Sequence, residues 1–599
     1  MKRKPSIVML MRRRKETIIK PTGEDIMAPR VWLVPLFVAF LMVLVASCSS
    51  AKDDSNVVPN NDDNSTTDNT TVDNTQPDTA SDTTTTDDTV PDEKADNPMT
   101  DTDTTVTDTD TTVTDEDVAV DTETPEEDAP PVDDAVVPDA DEEVPEDENP
   151  FIFTAVEPES TFGIDVDTAS YSIVRRNLTY NKYMPLATNV RIEELINYFD
   201  YTYTAPAPGA DHPFSVTVEM GLCPWYAPHD LLMIGLKGEQ LTERMPSNLM
   251  FLIDVSGSME PADRLPLLKT ALLMLVDNLG DDDSIGIIKF SDAATEALAP
   301  TKATASGKVT IRAAVNSLTA GGSTNGGAGI QMAYTEAEKN LDESGNNRVI
   351  LATDGEFNTG GFTTTEQLTA LIKAERDKKI FLTVLTFGDP NFIADGNMEA
   401  LADTGNGNYY YIDSLEEAKR VFTDRLAGTI YTIAKDVKVQ VEFNPSKVLK
   451  YRLIGYDNRV MENSEFNDDK VDSGELGAGH TVTAFYQIEY VDGMSPFAYA
   501  PGADDFVEVR VRYKPPLSDE STMMAVPVTA EHYLAEPSEN FRFASAVTEW
   551  GLLLRDSYYK FDASYDSAKT RANGSLGKDP HGLRLQFVDL IDLAKEYDN

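Results

Sequence analysis

Apolar runs typical of buried strands alternate with apolar residues at helical spacing between positions 246 and 434. Helical spacing predicts helices over residues 264–279 and 307–318, and an alanine-rich helix after residue 327. The apolar runs predict strands at residues 249–253, 284–290, 348–353, 380–387 and 408–412. This alternation predicts a doubly wound α/β domain with a Rossmann-like sheet.

The pattern changes after that domain. Apolar and polar residues alternate with period two over residues 436–443, 482–490 and 506–513, which predicts antiparallel strands of a β-sandwich-like module. Helices are predicted over residues 541–554 and 583–595. We therefore expect a flanking mixed α+β body in which residues 151–245 and 435–530 pack together.

Polar oxygen-bearing residues follow the first predicted strand of the α/β domain. Asp254, Ser256 and Ser258 alternate with Val255 and Gly257, and a tight turn at the glycine would bring the three side chains together. Open α/β sheets bind ligands outside the carboxyl ends of their strands. One carboxylate and two hydroxyls suit Mg²⁺ or Mn²⁺ better than zinc. The alternative for an isolated match is a helix N-cap.

Two later loops carry matching residues. The glycine-rich loop at residues 321–327 contains Thr324, and Asp354 follows the strand that ends at Thr353. Together with the first loop they resemble the metal-ion-dependent adhesion site of the von Willebrand factor type A domain. The resemblance implies that Asp254, Ser256, Ser258, Thr324 and Asp354 hold one Mg²⁺ or Mn²⁺ ion. It also implies that an acidic side chain from a protein partner completes the coordination of the metal.

The resemblance extends beyond this domain. Three segments resemble the N-terminal region of the bacterial YfbK-like family of lipoproteins: STFGIDVDTASY at residues 160–171, VRIEELINYF at 190–199 and PW at 224–225. Segments that resemble the C-terminal region of the same family lie at residues 436–443, 451–456, 474–480 and 551–555. The resemblance covers about three quarters of the chain, and it implies an architecture more than a biological role.

The N-terminus has the pattern of a secretion signal. Residues 31–45 are apolar and follow basic residues, and Val45-Ala46-Ser47-Cys48 resembles a lipobox. We expect residues 1–48 to be a signal peptide, with translation starting at Met1 or Met27, and Cys48 to be lipidated after cleavage. The resemblance to lipoproteins and Ser49 at the second mature position imply the outer membrane of the cell envelope. An uncleaved membrane anchor is the alternative.

Residues 49–150 contain no Leu, Ile, Phe, Tyr or Trp, so they cannot build a core. They hold 34 acidic and two basic residues, a net charge of −32 out of −53 for the chain. We expect a disordered acidic tether that carries most of the negative charge. Calcium capture by the aspartates and a glycosylated stalk are the alternatives.

Other candidate chemistry is sparse. After lipidation only Cys223 would remain, and the five histidines lack metal-ligand spacing. Asp165-Val166-Asp167-Thr168 resembles the nucleophile loop of haloacid-dehalogenase-type phosphatases, but the segment before it is too short and polar for a central strand. We expect Asp167 or Thr168 to cap a helix over residues 171–178 instead.

The domain plan is therefore a signal peptide at residues 1–48, a tether at 49–150, an N-terminal domain at 151–245, a von Willebrand factor A domain at 246–434 and a C-terminal domain at 435–599. The expected function is Mg²⁺-dependent protein binding by a lipid-anchored envelope protein without enzymatic activity and without a nucleic-acid partner. The alternative function is a metal-dependent hydrolase or phosphatase.

Overall fold

The computed structural model describes residues 148–598 except 242–244, 356–364, 394, 426–427, 429, 494–504 and 517. The expected signal peptide, the lipidation site Cys48 and nearly all of the expected tether lie outside the described residues. No helix among the described residues has the length and apolar character needed to cross a membrane.

Strands and helices are numbered in chain order among the described residues. The strands are β1 Ile152–Phe153, β2 Glu159–Gly163, β3 Phe214–Leu222, β4 Asp230–Gly238, β5 Ser247–Asp254, β6 Ser284–Phe290, β7 Ala294–Lys302, β8 Asn346–Thr353, β9 Ile380–Phe387, β10 Tyr409–Ile412, β11 Thr432–Phe443, β12 Val448–Ile454, β13 Val460–Met461, β14 Gly474–Gly477, β15 Thr481–Tyr490, β16 Val507–Lys514 and β17 Thr522–Val528. The helices are α1 Ala169–Arg176, α2 Ile192–Asn197, α3 Leu265–Asn278, α4 Ala305–Ser317, α5 Gly326–Lys339, α6 Thr365–Asp377, α7 Asp395–Thr404, α8 Leu415–Lys419, α9 Glu539–Leu554, α10 Tyr565–Asn573 and α11 Leu583–Tyr597.

The α/β domain is built on a six-stranded sheet in the order β10-β9-β8-β5-β6-β7. All neighbouring strands run parallel except β6 and β7. Every residue of β5 and of β8 is buried, because both strands lie in the middle of the sheet and helices cover both faces. The predicted doubly wound fold is confirmed, and β7 is a strand that the sequence pattern did not predict.

Two further sheets form the flanking body. One has the order β1-β12-β15-β4-β3, and the other has the order β13-β2-β11-β16-β17 with β14 beside β11. In both sheets, strands from before the α/β domain pair with strands from after it: β4 with β15, and β2 with β11. The two flanking segments therefore share one hydrogen-bonded framework, with the α/β domain inserted between them in sequence.

A second core lies among the helices of the flanking body. Aromatic side chains of α1, α9, α11 and the chain after α2 pack together, including Tyr171, Tyr198, Phe199, Trp550 and Phe587. Their large apolar areas make this cluster a main source of stability for the body. The predicted helices over residues 541–554 and 583–595 are present as α9 and α11.

The start of α1 corrects one sequence expectation. Thr168 occupies the N-cap position, but its side chain makes no capping hydrogen bond. Glu194 of α2 accepts a hydrogen bond from the Ser170 backbone N–H at 2.8 Å instead. Asp167 Oδ1 accepts the backbone N–H of Tyr409 at 2.9 Å. The predicted cap by Asp167 or Thr168 is therefore wrong, because a helix 24 residues away supplies the carboxylate.

Candidate metal centre

Three loops meet at the carboxyl edge of the central sheet. The first follows β5 at Asp254, the second precedes α5 and contains Thr324, and the third follows β8 at Asp354. Since β5 and β8 are adjacent and parallel, the two aspartates leave neighbouring strand ends. This is the part of an open α/β sheet where ligands bind.

The first loop is organised around the Asp254 carboxylate, which is fully buried. Its Oδ1 accepts the Ser256 backbone N–H at 2.8 Å, and its Oδ2 accepts the Thr353 hydroxyl at 2.9 Å. The Ser256 and Ser258 hydroxyl oxygens lie 2.9 Å apart, so both side chains point to the same place. Burial raises the pKa of the Asp254 carboxyl, and the hydrogen bonds from Ser256 and Thr353 oppose that shift.

The second loop is joined to the first by backbone hydrogen bonds. Gly321 N–H donates to Val255 O at 2.7 Å, and Gly257 N–H donates to Gly322 O at 3.0 Å. Gly322 has φ of +92°, and a Cβ there would lie 2.7 Å from an Asp292 carboxylate oxygen. A side chain at residue 322 would therefore disturb the loop.

Asp292 also holds the residue before Thr324. Its Oδ1 accepts the Ser323 backbone N–H at 2.9 Å and the Ser323 hydroxyl at 2.6 Å. These bonds lower the pKa of Asp292. Thr324 itself is half-buried and stands two residues before the start of α5. The loop that carries it is thus tied both to the first loop and to Asp292.

The third loop supplies Asp354, whose side chain is only 1% exposed. Its Oδ2 accepts a hydrogen bond from the Arg264 guanidinium, which also donates to Ser258 O at 2.8 Å. Its Oδ1 is buried and accepts no hydrogen bond from any residue that the structure describes. An acceptor of this kind is costly to bury unless a cation or a donor satisfies it.

The donor set fits a hard divalent cation. Two carboxylates and three hydroxyls are all oxygen donors, which Mg²⁺ and Mn²⁺ prefer, and no sulfur or imidazole takes part. Asp354 Oδ1 retains full acceptor capacity toward an ion. Arg264 is the competing positive charge in this arrangement.

Three contributors to this site were absent from the sequence-based set: Thr353, Asp292 and Arg264. Thr353 directly precedes Asp354, and Asp292 follows the end of β6, the strand beside β5. Position at the sheet edge was a usable signal for both. Arg264 had no such signal, because it lies at the start of α3 and reaches the site only through its long side chain.

Comparisons with known proteins identify the domains that surround these loops. The von Willebrand factor type A domain profile matches residues 248–424, a profile described as von Willebrand factor matches residues 140–233, and one described as "Uncharacterized protein YfbK, C-terminal" matches residues 428–597. The uncharacterized protein YfbK of Escherichia coli K12 is 38% identical over 467 residues, which are 75% of this chain and 80% of that protein. This chain belongs to the YfbK family.

More distant relatives of this YfbK-family chain share parts of it. The uncharacterized protein sll0103 of Synechocystis is 25% identical over 301 residues, covering 50% of the chain and 68% of that protein. Among solved structures, a von Willebrand factor type A protein from Catenulispora acidiphila superposes with a TM-score of 0.38 and 14% identity, covering 64% of this chain and 91% of that one. Von Willebrand factor A domains commonly bind a metal ion and are associated with protein–protein interaction and adhesion.

The aspartate pair that resembles a phosphatase loop has a different environment in this YfbK-family chain. Asp165 and Asp167 are 3% and 2% exposed, and Asp167 is bonded to the backbone of β10. A nucleophilic carboxylate must reach its substrate. Burial at this level leaves no access for a phosphoryl group, which argues against phosphatase chemistry at these residues.

Cys223 is also buried, and burial raises the pKa of its thiol to about 12. The thiolate that a catalytic cysteine requires is therefore disfavoured. The environment of Cys223 is that of a small buried residue.

Proposed function

We propose that this protein is a lipid-anchored envelope protein that binds a protein partner through Mg²⁺ or Mn²⁺ at Asp254, Ser256, Ser258, Thr324 and Asp354. The observation that carries the proposal is the arrangement at the sheet edge. The hydroxyl oxygens of Ser256 and Ser258 lie 2.9 Å apart in the loop after β5, and the buried Asp254 and Asp354 stand at the carboxyl ends of the adjacent strands β5 and β8.

The proposed chemistry follows from the donor set. Two carboxylates formally balance the charge of a divalent ion, and five protein oxygens leave one position of an octahedral shell open. A carboxylate from a partner supplies the missing oxygen, and it is the kind of donor that a hard cation prefers. Ser258 and Thr324 are half-buried and not fully enclosed, so this side of the site is the one that a partner can approach.

The anchor and the location are part of the proposal and rest on the lipobox-like sequence before Cys48. The acidic segment at residues 49–150 would then separate the folded part from the membrane, with an outer-membrane anchor as the proposed destination. A partner with an accessible acidic side chain is the proposed ligand.

Metal binding by the full chain in detergent tests the first step. Mg²⁺ and Mn²⁺ titrations by calorimetry should show an ion bound at this site, and Asp254→Asn and Asp354→Asn should each weaken that binding at least tenfold without changing the circular dichroism spectrum. Glu260→Gln is the matched control, because Glu260 is an exposed carboxylate close to the first loop. No divalent-ion binding at this site by the wild-type chain would refute the proposal.

Partner binding tests the second step. Affinity purification in Mg²⁺, read by mass spectrometry, should recover proteins that are lost in EDTA, lost with Asp254→Asn and retained with Glu260→Gln. A partner recovered equally under all four conditions would show that binding does not pass through the ion.

A further inference from the structure

A second group of charged residues lies away from the sheet edge and shares no residue with the candidate metal centre. Its six carboxyl groups come from the segment after β2, from α2 and from α7, and its two guanidinium groups are those of Arg191 and Arg459. We call these eight residues the buried acidic cluster. The carboxyl groups belong to Asp165, Asp167, Glu193, Glu194, Glu399 and Asp403.

Three of these carboxylates have the spacing of metal ligands. Asp165, Glu194 and Glu399 each offer an oxygen, and these oxygens all lie within 4.8 Å of one another. The three residues are 3%, 2% and 3% exposed. Calcium binds oxygens at 2.3–2.6 Å, so two ligands on opposite sides of one ion are about 5 Å apart. Three oxygens this close together have a common point at most about 2.8 Å from each, so small side-chain adjustments let one ion contact all three.

The two guanidinium groups do not satisfy the cluster. Arg459 is shared among four carboxylates, at 2.8 Å from Asp403, 3.3 Å from Glu399, 3.5 Å from Asp165 and 4.0 Å from Asp167. Arg191 contacts Glu399 and lies 3.5 Å from Glu194. Six carboxyl groups thus face two positive charges, and five of the six are buried, whereas the Asp403 side chain is 36% exposed.

Several individual carboxylate oxygens of the cluster also lack a hydrogen-bond donor. Asp165 Oδ2, Asp167 Oδ2 and Glu193 Oε2 are buried and accept no hydrogen bond from the described residues. The opposite oxygen of Asp165 accepts the Asp167 backbone N–H at 2.9 Å, which fixes the orientation of that carboxyl group. Buried carboxylate oxygens without donors are expected to be protonated or bound to a cation.

Burial is the main reason why protons compete for these sites. It raises the pKa of Asp167, Glu399 and Asp403, and it raises the pKa of Glu193 to about 7. Neighbouring carboxylates add to the effect, and Arg459 opposes it for Asp167, Glu399 and Asp403.

We propose that Asp165, Glu194 and Glu399 bind a second divalent cation, of the calcium class, in the buried acidic cluster. An all-carboxylate ligand set without histidine or cysteine suits a hard ion. The ion would join three parts of the chain: the strand β2 side of the flanking body, α2, and α7 of the α/β domain. Its role is to fix the α/β domain on the flanking body, and it does not depend on the proposed partner binding.

The test uses the full chain in detergent with the first site removed by the double substitution Asp254→Asn and Asp354→Asn. This protein, dialysed against micromolar Ca²⁺ at pH 7.5, should retain one calcium ion per chain by elemental analysis. Calcium should raise its melting temperature by ~2 °C or more relative to EDTA. Adding Asp165→Asn or Glu399→Gln should weaken Ca²⁺ binding at least tenfold and abolish that rise.

Asp230→Asn is the matched control, because Asp230 is a buried carboxyl outside the cluster, and burial raises its pKa to about 6. This variant should retain the calcium ion. The proposal is overturned if the double variant binds no calcium. It is equally overturned if Asp165→Asn and Glu399→Gln raise the melting temperature by the same amount with and without calcium, because protons would then occupy the cluster.

Discussion

Removing the Arg264 side chain tests the candidate metal centre, because Arg264 and the proposed ion compete for the Asp354 carboxylate. The guanidinium contacts Asp354 Oδ2 and donates to Ser258 O. Its positive charge therefore competes with the proposed ion for the Asp354 carboxylate. In Arg264→Ala the Asp354 carboxylate, whose side chain is 1% exposed, loses its positive partner. In the variant, a bound metal ion should therefore stabilise this carboxylate in place of the arginine.

The magnitude follows from burial. Loss of one partner from a fully buried ion pair costs about 3–5 kcal/mol. The Arg264 side chain is 20% exposed, so solvent reduces the cost to about 2–3 kcal/mol without metal. With the ion bound, that cost should largely disappear. Mg²⁺ binding to the variant no longer displaces the guanidinium, so affinity should rise at least about tenfold, which corresponds to ~1.4 kcal/mol.

Calorimetric Mg²⁺ titration and thermal melting in EDTA and in Mg²⁺ measure both effects. Arg264→Ala should melt below the wild type in EDTA and close to it in saturating Mg²⁺. Arg312→Ala is the control, since the Arg312–Asp277 pair is exposed and contributes little. Unchanged or weaker Mg²⁺ affinity, or an equal loss of melting temperature in both conditions, would refute the reasoning.

Three further predictions concern other parts of the chain. Gly322→Ala places a Cβ 2.7 Å from Asp292 Oδ2 at φ of +92°, so it should cost about 1–2 kcal/mol and weaken Mg²⁺ binding in calorimetry; unchanged binding would contradict the role of this loop. Burial lowers the pKa of His480 to about 3, so the stability contributed by its neutral form is present above about pH 6.5 and is lost as pH falls from 6.5 toward 3. His480→Gln should therefore flatten the decline of melting temperature between pH 7 and pH 4, and an unchanged decline would contradict this. Cys48→Ser should abolish lipid labelling and release the protein from membranes, whereas retention without lipid would support an uncleaved anchor.

The central sheet could be predicted because its strands are long apolar runs. The predicted strands at residues 249–253 and 348–353 lie within β5 and β8, which are buried throughout. The strand β7 was missed for the opposite reason. It is an edge strand, most of its residues are exposed or half-buried, and it contains Pro300, so its sequence lacks an apolar run.

Some features of the candidate site could also be predicted from the sequence, and others could not. Short-range features were readable: Asp254, Ser256 and Ser258 stand within five residues, and the convergence of the two serine hydroxyls follows from the turn at Gly257. Long-range features were not. Arg264 donates a hydrogen bond to Asp354, which lies 90 residues later in the chain. Glu194 of α2 accepts a hydrogen bond from the Ser170 backbone N–H at the start of α1. Local sequence carries no information about such pairs, because they depend on how whole elements pack.

Burial separates the roles of the two proposed cations. At the sheet edge, neutral hydroxyls from half-buried Ser258 and Thr324 leave one side of the ion open, which favours exchange of ligands with a partner. In the buried acidic cluster, Asp165, Glu194 and Glu399 are each at most 3% exposed, so no partner can reach an ion held there. Three carboxylates also over-balance a divalent charge, and this favours tight retention over exchange. The first ion therefore suits recognition, whereas the second suits only the joining of segments that are distant in sequence.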